Sequence, residues 1–153
     1  GIRAAVERFQ PSAMRWERSA VGGVRIVNDA YNANPLSMRA ALAAFAREPA
    51  NGGKWLVLGD MMELGDSEDD EHRRLGTLVA GEPWAGVITV GPRAQYIAEG
   101  ALAAGYAAEC LTAVDRNEEA AAILKERIAD NDAVLLKGSR GMKLEEIVVL
   151  LSA

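Results

Sequence analysis

Apolar residues in this chain fall into short runs fit for strands and longer segments spaced by three or four that fit helices. Met14 to Arg18 and Val24 to Asn28 predict two strands around Val21-Gly22-Gly23, a turn signal that joins antiparallel neighbours. Asn34-Pro35 then places a capping side chain before a proline at the first helical position. Met38, Leu42 and Phe45 follow on one face, and that helix is expected to run to about Arg47. Trp55 to Leu58 predicts a third strand, and the acidic run Asp66 to Glu71 opens a helix carrying Leu75, Leu78 and Val79. Gly86 to Val90 reads as the next strand, and Ile97, Ala101 and Leu102 mark a further helix. Beyond Gly105 a weaker strand signal spans Ala108 to Leu111. Ala120, Ile123, Leu124 and Ile128 have helical spacing, Ala133 to Leu136 is a strand, and Leu144, Ile147, Val148 and Leu151 form the stripe of a final helix.

Strands alternating with helices, with strand starts roughly 25 to 30 residues apart, imply βαβ units. The expected fold is a Rossmann-like α/β domain: a mostly parallel sheet of about six strands, helices on both faces, and a hairpin at the start. The chain has 153 residues, half of them apolar, which suits one globular unit with a real core. There is no internal repeat, low-complexity segment or linker.

Charge and cysteine content narrow the function classes. With 17 basic and 22 acidic residues the net charge is −5, against general affinity for nucleic acid, which needs clustered cations. Cys110 is the only cysteine, so neither an internal disulfide nor a cysteine-based zinc site can form. No stretch has the length of a membrane span and the first twenty residues carry no signal-peptide core, so a cytoplasmic protein is expected. A start at Gly1 without an initiator methionine fits a processed protein or a fragment.

In an open parallel sheet, ligands bind beyond the carboxyl ends of the strands, where helix N-termini and free backbone amides converge. Three polar loops fall at such ends: Asn28 to Asn34 (NDAYNAN), Gly59 to Gly65 (GDMMELG) and Lys137 to Gly141 (KGSRG). Asp29 ends an apolar strand, where a carboxylate can accept the hydroxyls of a ribose; it could equally brace the turn, as Asn34 could simply cap the helix. Gly59 allows close backbone approach, and Asp60 and Glu63 are read as pointing into the same crevice, to orient an amine or a metal-bound water or else to serve only a surface turn. Lys137, Ser139 and Arg140 offer positive charge beside free amides, a receptor for carboxylate or phosphate. Lys137 and Arg140 are taken as exposed loop charges whose removal leaves the fold standing.

Other conspicuous residues carry less. His72 lies on an exposed-looking helix with no second histidine or cysteine near it, so it is a poor metal ligand, and a surface or supporting place is expected. Trp16, Trp55 and Trp84 are not spaced as a stacking platform and belong to the core or its edge. No GxxxxGK[ST], GxGxxG or GxSxG string occurs. The crevice therefore has the look of half a site.

Taken together, Asp29 to Met38 (DAYNANPLSM), Gly59 to Gly65 (GDMMELG) and Lys137 to Arg140 (KGSR) resemble the C-terminal domain of the Mur ligase family, with His72 in that family's histidine position. The likeness runs from about Phe9 to Leu151 and is strongest to the branch that adds D-alanyl-D-alanine to UDP-N-acetylmuramoyl-tripeptide in peptidoglycan precursor synthesis. It implies that residues 1–153 are the third of three domains, after an N-terminal UDP-sugar domain and a central P-loop domain that holds ATP and magnesium. ATP would phosphorylate the tripeptide carboxylate and the dipeptide amine would attack the acyl phosphate. By position, Asp29 would bind the ATP ribose, with Tyr31 and Asn32 lining the nucleotide side. Asn34, Glu63, Lys137, Ser139 and Arg140 would face the dipeptide and acyl phosphate. No complete catalytic set and no metal site is implied for this chain, which is expected to be inactive alone. A stand-alone flavodoxin-like binding or signalling module is the competing reading.

Overall fold

The computed structural model describes residues 16 to 30 and 32 to 153. Within them, six strands form one sheet in the order β1-β2-β6-β3-β4-β5: β1 Glu17–Val21, β2 Val24–Asp29, β3 Lys54–Gly59, β4 Gly86–Val90, β5 Leu111–Val114 and β6 Ala133–Lys137. Only the β1–β2 pairing is antiparallel, a hairpin closed over Gly22-Gly23 with Val21 opposite Val24. Strands β2, β6, β3, β4 and β5 run parallel. Five α-helices connect or follow them: α1 Pro35–Arg47, α2 Glu68–Val79, α3 Gln95–Ala103, α4 Asn117–Arg127 and α5 Glu145–Ser152.

The order of the strands fixes the faces. From β2 to β5 the chain steps across the sheet in one direction, so right-handed crossovers put α1, α2 and α3 on one face. It then returns to insert β6 between β2 and β3, and α4 is driven to the opposite face, where α5 joins it. Alternate residues of each strand sort accordingly. Val27, Leu56, Leu58 and Leu135 pack with Met38, Phe45, Leu75 and Ile97, whereas Ile26, Val57, Ile88 and Leu136 pack with Ala120, Leu124 and Ile147.

Several boundaries differ from expectation for identifiable reasons. Strand β1 spans Glu17–Val21, and Met14, where the sequence pattern begins it, lies outside the described residues; the two-residue turn fixes the register, and the exposed side chains of the strand carry little apolar signal. Residues Ala108–Cys110 form a 3₁₀ turn and the strand follows at Leu111–Val114, because pairing with Val87 to Val90 overrides a weak local pattern. Of the residues that mark α2 and α3 in the sequence, Leu75, Val79, Ile97 and Ala101 are buried, whereas Leu78 and Leu102 are about half exposed. Trp55 and Trp84 are core residues, and half-buried Trp16 donates to Glu48 Oε2 at 3.2 Å.

Candidate functional site

The three polar loops leave the carboxyl ends of three adjacent strands, β2, β6 and β3. Because the connection after β6 leads to α5 on one face while those after β2 and β3 lead to the other, both boundaries of β6 are switch points, where a sheet of this kind opens a crevice. Two backbones meet there at glycines. A Cβ on Gly138 would lie 3.0 Å from Gly59 Cα and 3.1 Å from Gly59 N, so the β3 and β6 loops pack glycine on glycine. The amide of Ser139 donates to Asp60 O at 3.0 Å and ties the two loops together.

At the β2–β6 boundary, parallel register sets Asp29 beside Lys137. Both are only 1% exposed. Lys137 Nζ lies 3.0 Å from Asp29 Oδ2 and donates to the Asn32 carbonyl at 2.6 Å. Burial pulls the Lys137 ammonium below the usual lysine range, and the Asp29 carboxylate opposes that shift. The expectation of an exposed loop charge at Lys137 is thus overturned: the side chain ends a strand that is buried on both faces, and its charge is matched inside.

The remaining loop residues divide. Asn34 caps α1, its Oδ1 accepting from Ser37 N at 2.8 Å, while Ser37 Oγ accepts from Asn34 N at 3.0 Å. That cap employs the amide oxygen and leaves the amide nitrogen outside it. Asn32 is exposed, its Oδ1 accepting from Ala33 N. Tyr31 lies outside the described residues. Glu63 is exposed at φ 61°, a left-handed backbone that turns the GDMMELG loop outward. Ser139 is buried and its hydroxyl has no hydrogen-bond partner among the described residues. Arg140 is exposed, and with Glu17, Asn28, Ala30 and Glu145 it lines a cavity of about 220 Å³ beside the β2 end.

Asp60 of the second loop differs from its sequence reading, and His72 of α2 takes the supporting one of its two expected places. Asp60 does not open into the crevice: its Oδ1 accepts from Arg93 N at 3.0 Å and Ala94 N at 2.7 Å, and Arg93 Nη1 lies 3.4 Å from Oδ2. It secures the turn before α3. The Arg93 guanidinium is held above its ordinary pKa by Glu68 first and Asp60 second. His72 is fully buried rather than on the surface, with Nε2 accepting from Met61 N at 3.0 Å and Nδ1 2.7 Å from Glu68 O. These partners require one N–H and one lone pair, so the ring sits behind the loop as a neutral brace. Its place four residues after Glu68 on an acidic helix hid this; the signal was the uncharged gap it leaves beside the apolar Leu75 and Val79 stripe.

Among the described residues no three His, Cys, Asp or Glu side chains gather as a metal site, and no helix is long and apolar enough to cross a membrane. The family described as Mur ligase, glutamate ligase domain, matches residues 14–140. The UDP-N-acetylmuramoyl-tripeptide--D-alanyl-D-alanine ligase of Bacillus subtilis is 41% identical over 126 residues, covering 82% of this chain and 27% of the relative. That of Mycobacterium tuberculosis (strain ATCC 25618 / H37Rv) is 35% identical over 148 residues, covering 86% and 29%. Among solved structures, a MurF from Acinetobacter baumannii superposes with a TM-score of 0.77 at 32% identity, covering 91% of this chain and 30% of that one. MurF ligase from Thermotoga maritima in complex with ADP gives 0.74 at 28%, covering 90% and 30%. The chain thus spans less than a third of the length of these relatives.

Proposed function

The chain belongs to the Mur ligase family, and from that premise we propose that it is the C-terminal domain of a bacterial cytoplasmic ligase that joins D-alanyl-D-alanine to UDP-N-acetylmuramoyl-tripeptide. In this reading residues 1–153 are the third of three domains. A preceding UDP-sugar domain and a central P-loop domain would hold the sugar nucleotide and ATP with magnesium. Magnesium would serve there to neutralise the transferring phosphate; its ligands are not assigned to this chain.

The observation that carries this reading is that three polar loops share the carboxyl ends of the adjacent strands β2, β6 and β3, with the Lys137–Asp29 pair at the β2–β6 boundary and Ser139 tied to Asp60 at the β6–β3 boundary. Asp29 would receive the ribose hydroxyls of ATP, with Tyr31 and Asn32 along the nucleotide side. A carboxylate has about four acceptor positions, so one held by an ammonium can still accept hydroxyls. Arg140, Ser139, Glu63 and the amide nitrogen of Asn34 would face the dipeptide and the acyl phosphate. Arg140 suits a carboxylate or phosphate oxygen as a fork of donors. In the reaction the tripeptide carboxylate takes the γ-phosphoryl group and ADP leaves. The dipeptide amine then attacks the acyl carbon, the tetrahedral adduct expels phosphate, and the amine loses its proton. Closure of this domain would keep water from the acyl phosphate.

The test is Arg140→Ala in the full-length ligase. Loss of a charge-assisted contact of about 1.5 to 3 kcal/mol lowers kcat/KM for the dipeptide at least tenfold. Unchanged kcat/KM for both dipeptide and ATP would remove Arg140 from the site.

A further inference from the structure

We infer that Lys137 is a positioning residue for the nucleotide, holding the Asp29 carboxylate and the Asn32 backbone in one fixed relation, and does not itself contact the dipeptide. The inference rests on the reading of Asp29 as the ribose receptor. Its geometry is independent of that reading. Lys137 Nζ joins Asp29 Oδ2 at 3.0 Å and the Asn32 carbonyl at 2.6 Å, so one ammonium fixes both ends of the Asp29–Asn32 segment. The two elements it connects are 105 residues apart in sequence and are brought together only by insertion of β6 beside β2.

Three features separate this role from substrate contact. Both contacts of the ammonium are internal, so reaching a dipeptide would mean giving up the Asn32 carbonyl and the buried ion pair with Asp29. A compact ammonium with three rotatable donors can serve a carboxylate and a carbonyl at once, whereas a planar guanidinium favours one bidentate partner. An exposed cation stands three residues on, at Arg140, where a ligand can reach it. Burial of the ammonium, which lowers its proton affinity, agrees with a group kept for internal use.

The experiment compares ATP with 2′,3′-dideoxy-ATP in the full-length ligase carrying this domain, for the wild type, Asp29→Ala and Lys137→Met. The wild type is expected to favour ATP about tenfold or more in KM, as loss of hydrogen bonds to a charged group implies. Asp29→Ala should erase that preference. Lys137→Met should erase it too, raising the KM for ATP about tenfold while the KM for dipeptide stays within about twofold. A Lys137→Met enzyme that keeps the preference, or one that loses dipeptide affinity with ATP affinity intact, overturns the positioning role while leaving the Asp29 reading in place. A wild type indifferent to the missing hydroxyls, or an Asp29→Ala enzyme that keeps the preference, overturns the Asp29 reading and this inference with it. Should Lys137→Met not fold, Lys137→Gln, neutral but still a donor, is read in the same way: partial loss of preference supports the role and full retention refutes it.

Discussion

The two ends of the β6 strand each bury an aspartate, and the sheet treats them oppositely. At the amino end Asp132 is satisfied by neutral donors close at hand: Gly53 N at 2.8 Å, Ala129 N at 3.0 Å and the Trp55 indole at 3.1 Å. At the carboxyl end Asp29 faces the Lys137 ammonium across the β2–β6 boundary. A carboxylate held by backbone amides is a fixture of the fold, since its donors cannot leave without unmaking turns. One held by a side-chain ammonium keeps further acceptor positions that a ligand can share. Both carboxylates are buried, and what differs between them is the chemistry of their partners.

The comparison is broken most forcefully at Lys137. Lys137→Ala removes the ammonium from the buried pair with Asp29, and breaking a buried pair costs about 3 to 5 kcal/mol, a fall in melting temperature on the order of 10 °C for a domain of this size. A melting temperature within about 2 °C of wild type would mean that solvent or another group takes over the charge. Asp132→Ala comes next, since it frees three donors but near turns that water can reach; about 2 kcal/mol is expected, visible as a shifted urea midpoint with an unchanged slope. If Asp132→Ala costs more than Lys137→Ala, the contrast is reversed.

The smallest effect is the pH dependence. The Lys137 pKa in the folded chain lies below its ordinary value of 10.5, so the folded state binds fewer protons than the unfolded state between the two values. The sign follows: the cost of the buried charge is fully present below the folded pKa and is relieved as pH rises towards 10.5. Wild-type stability relative to Lys137→Met, from urea melts at stepped pH, should therefore increase across that window. A decrease would mean that the attraction of Asp29 outweighs burial.

Much of the fold and the shared edge of the three loops is legible in the sequence. Alternating strand and helix patterns placed the parallel sheet, and the Asn34-Pro35 start of α1 was visible because capping chemistry is local. The three loops share one edge because each follows a strand that the pattern had already oriented. What stayed hidden was long-range. Nothing near Lys137 signals a carboxylate 108 positions earlier, so an internal ion pair reads as a loop cation. Asp60 likewise looked ligand-facing because its partners, Arg93 and Ala94, arrive from the next βα turn. For His72 the sequence left a surface and a supporting place open, and the Met61 amide packed above the helix decides for the second.

The polar outer strand β1 bears on how this domain behaves in crowded company. A sheet end with unpaired backbone groups is a template for other chains, and proteins blunt such ends with charge or brevity. Among the described residues, β1 presents Glu17 and Arg18 on exposed positions at one margin, and β5 at the other is only four residues long. Each described margin is thus poorly suited to recruiting a foreign strand, although the strands between them are continuous apolar segments.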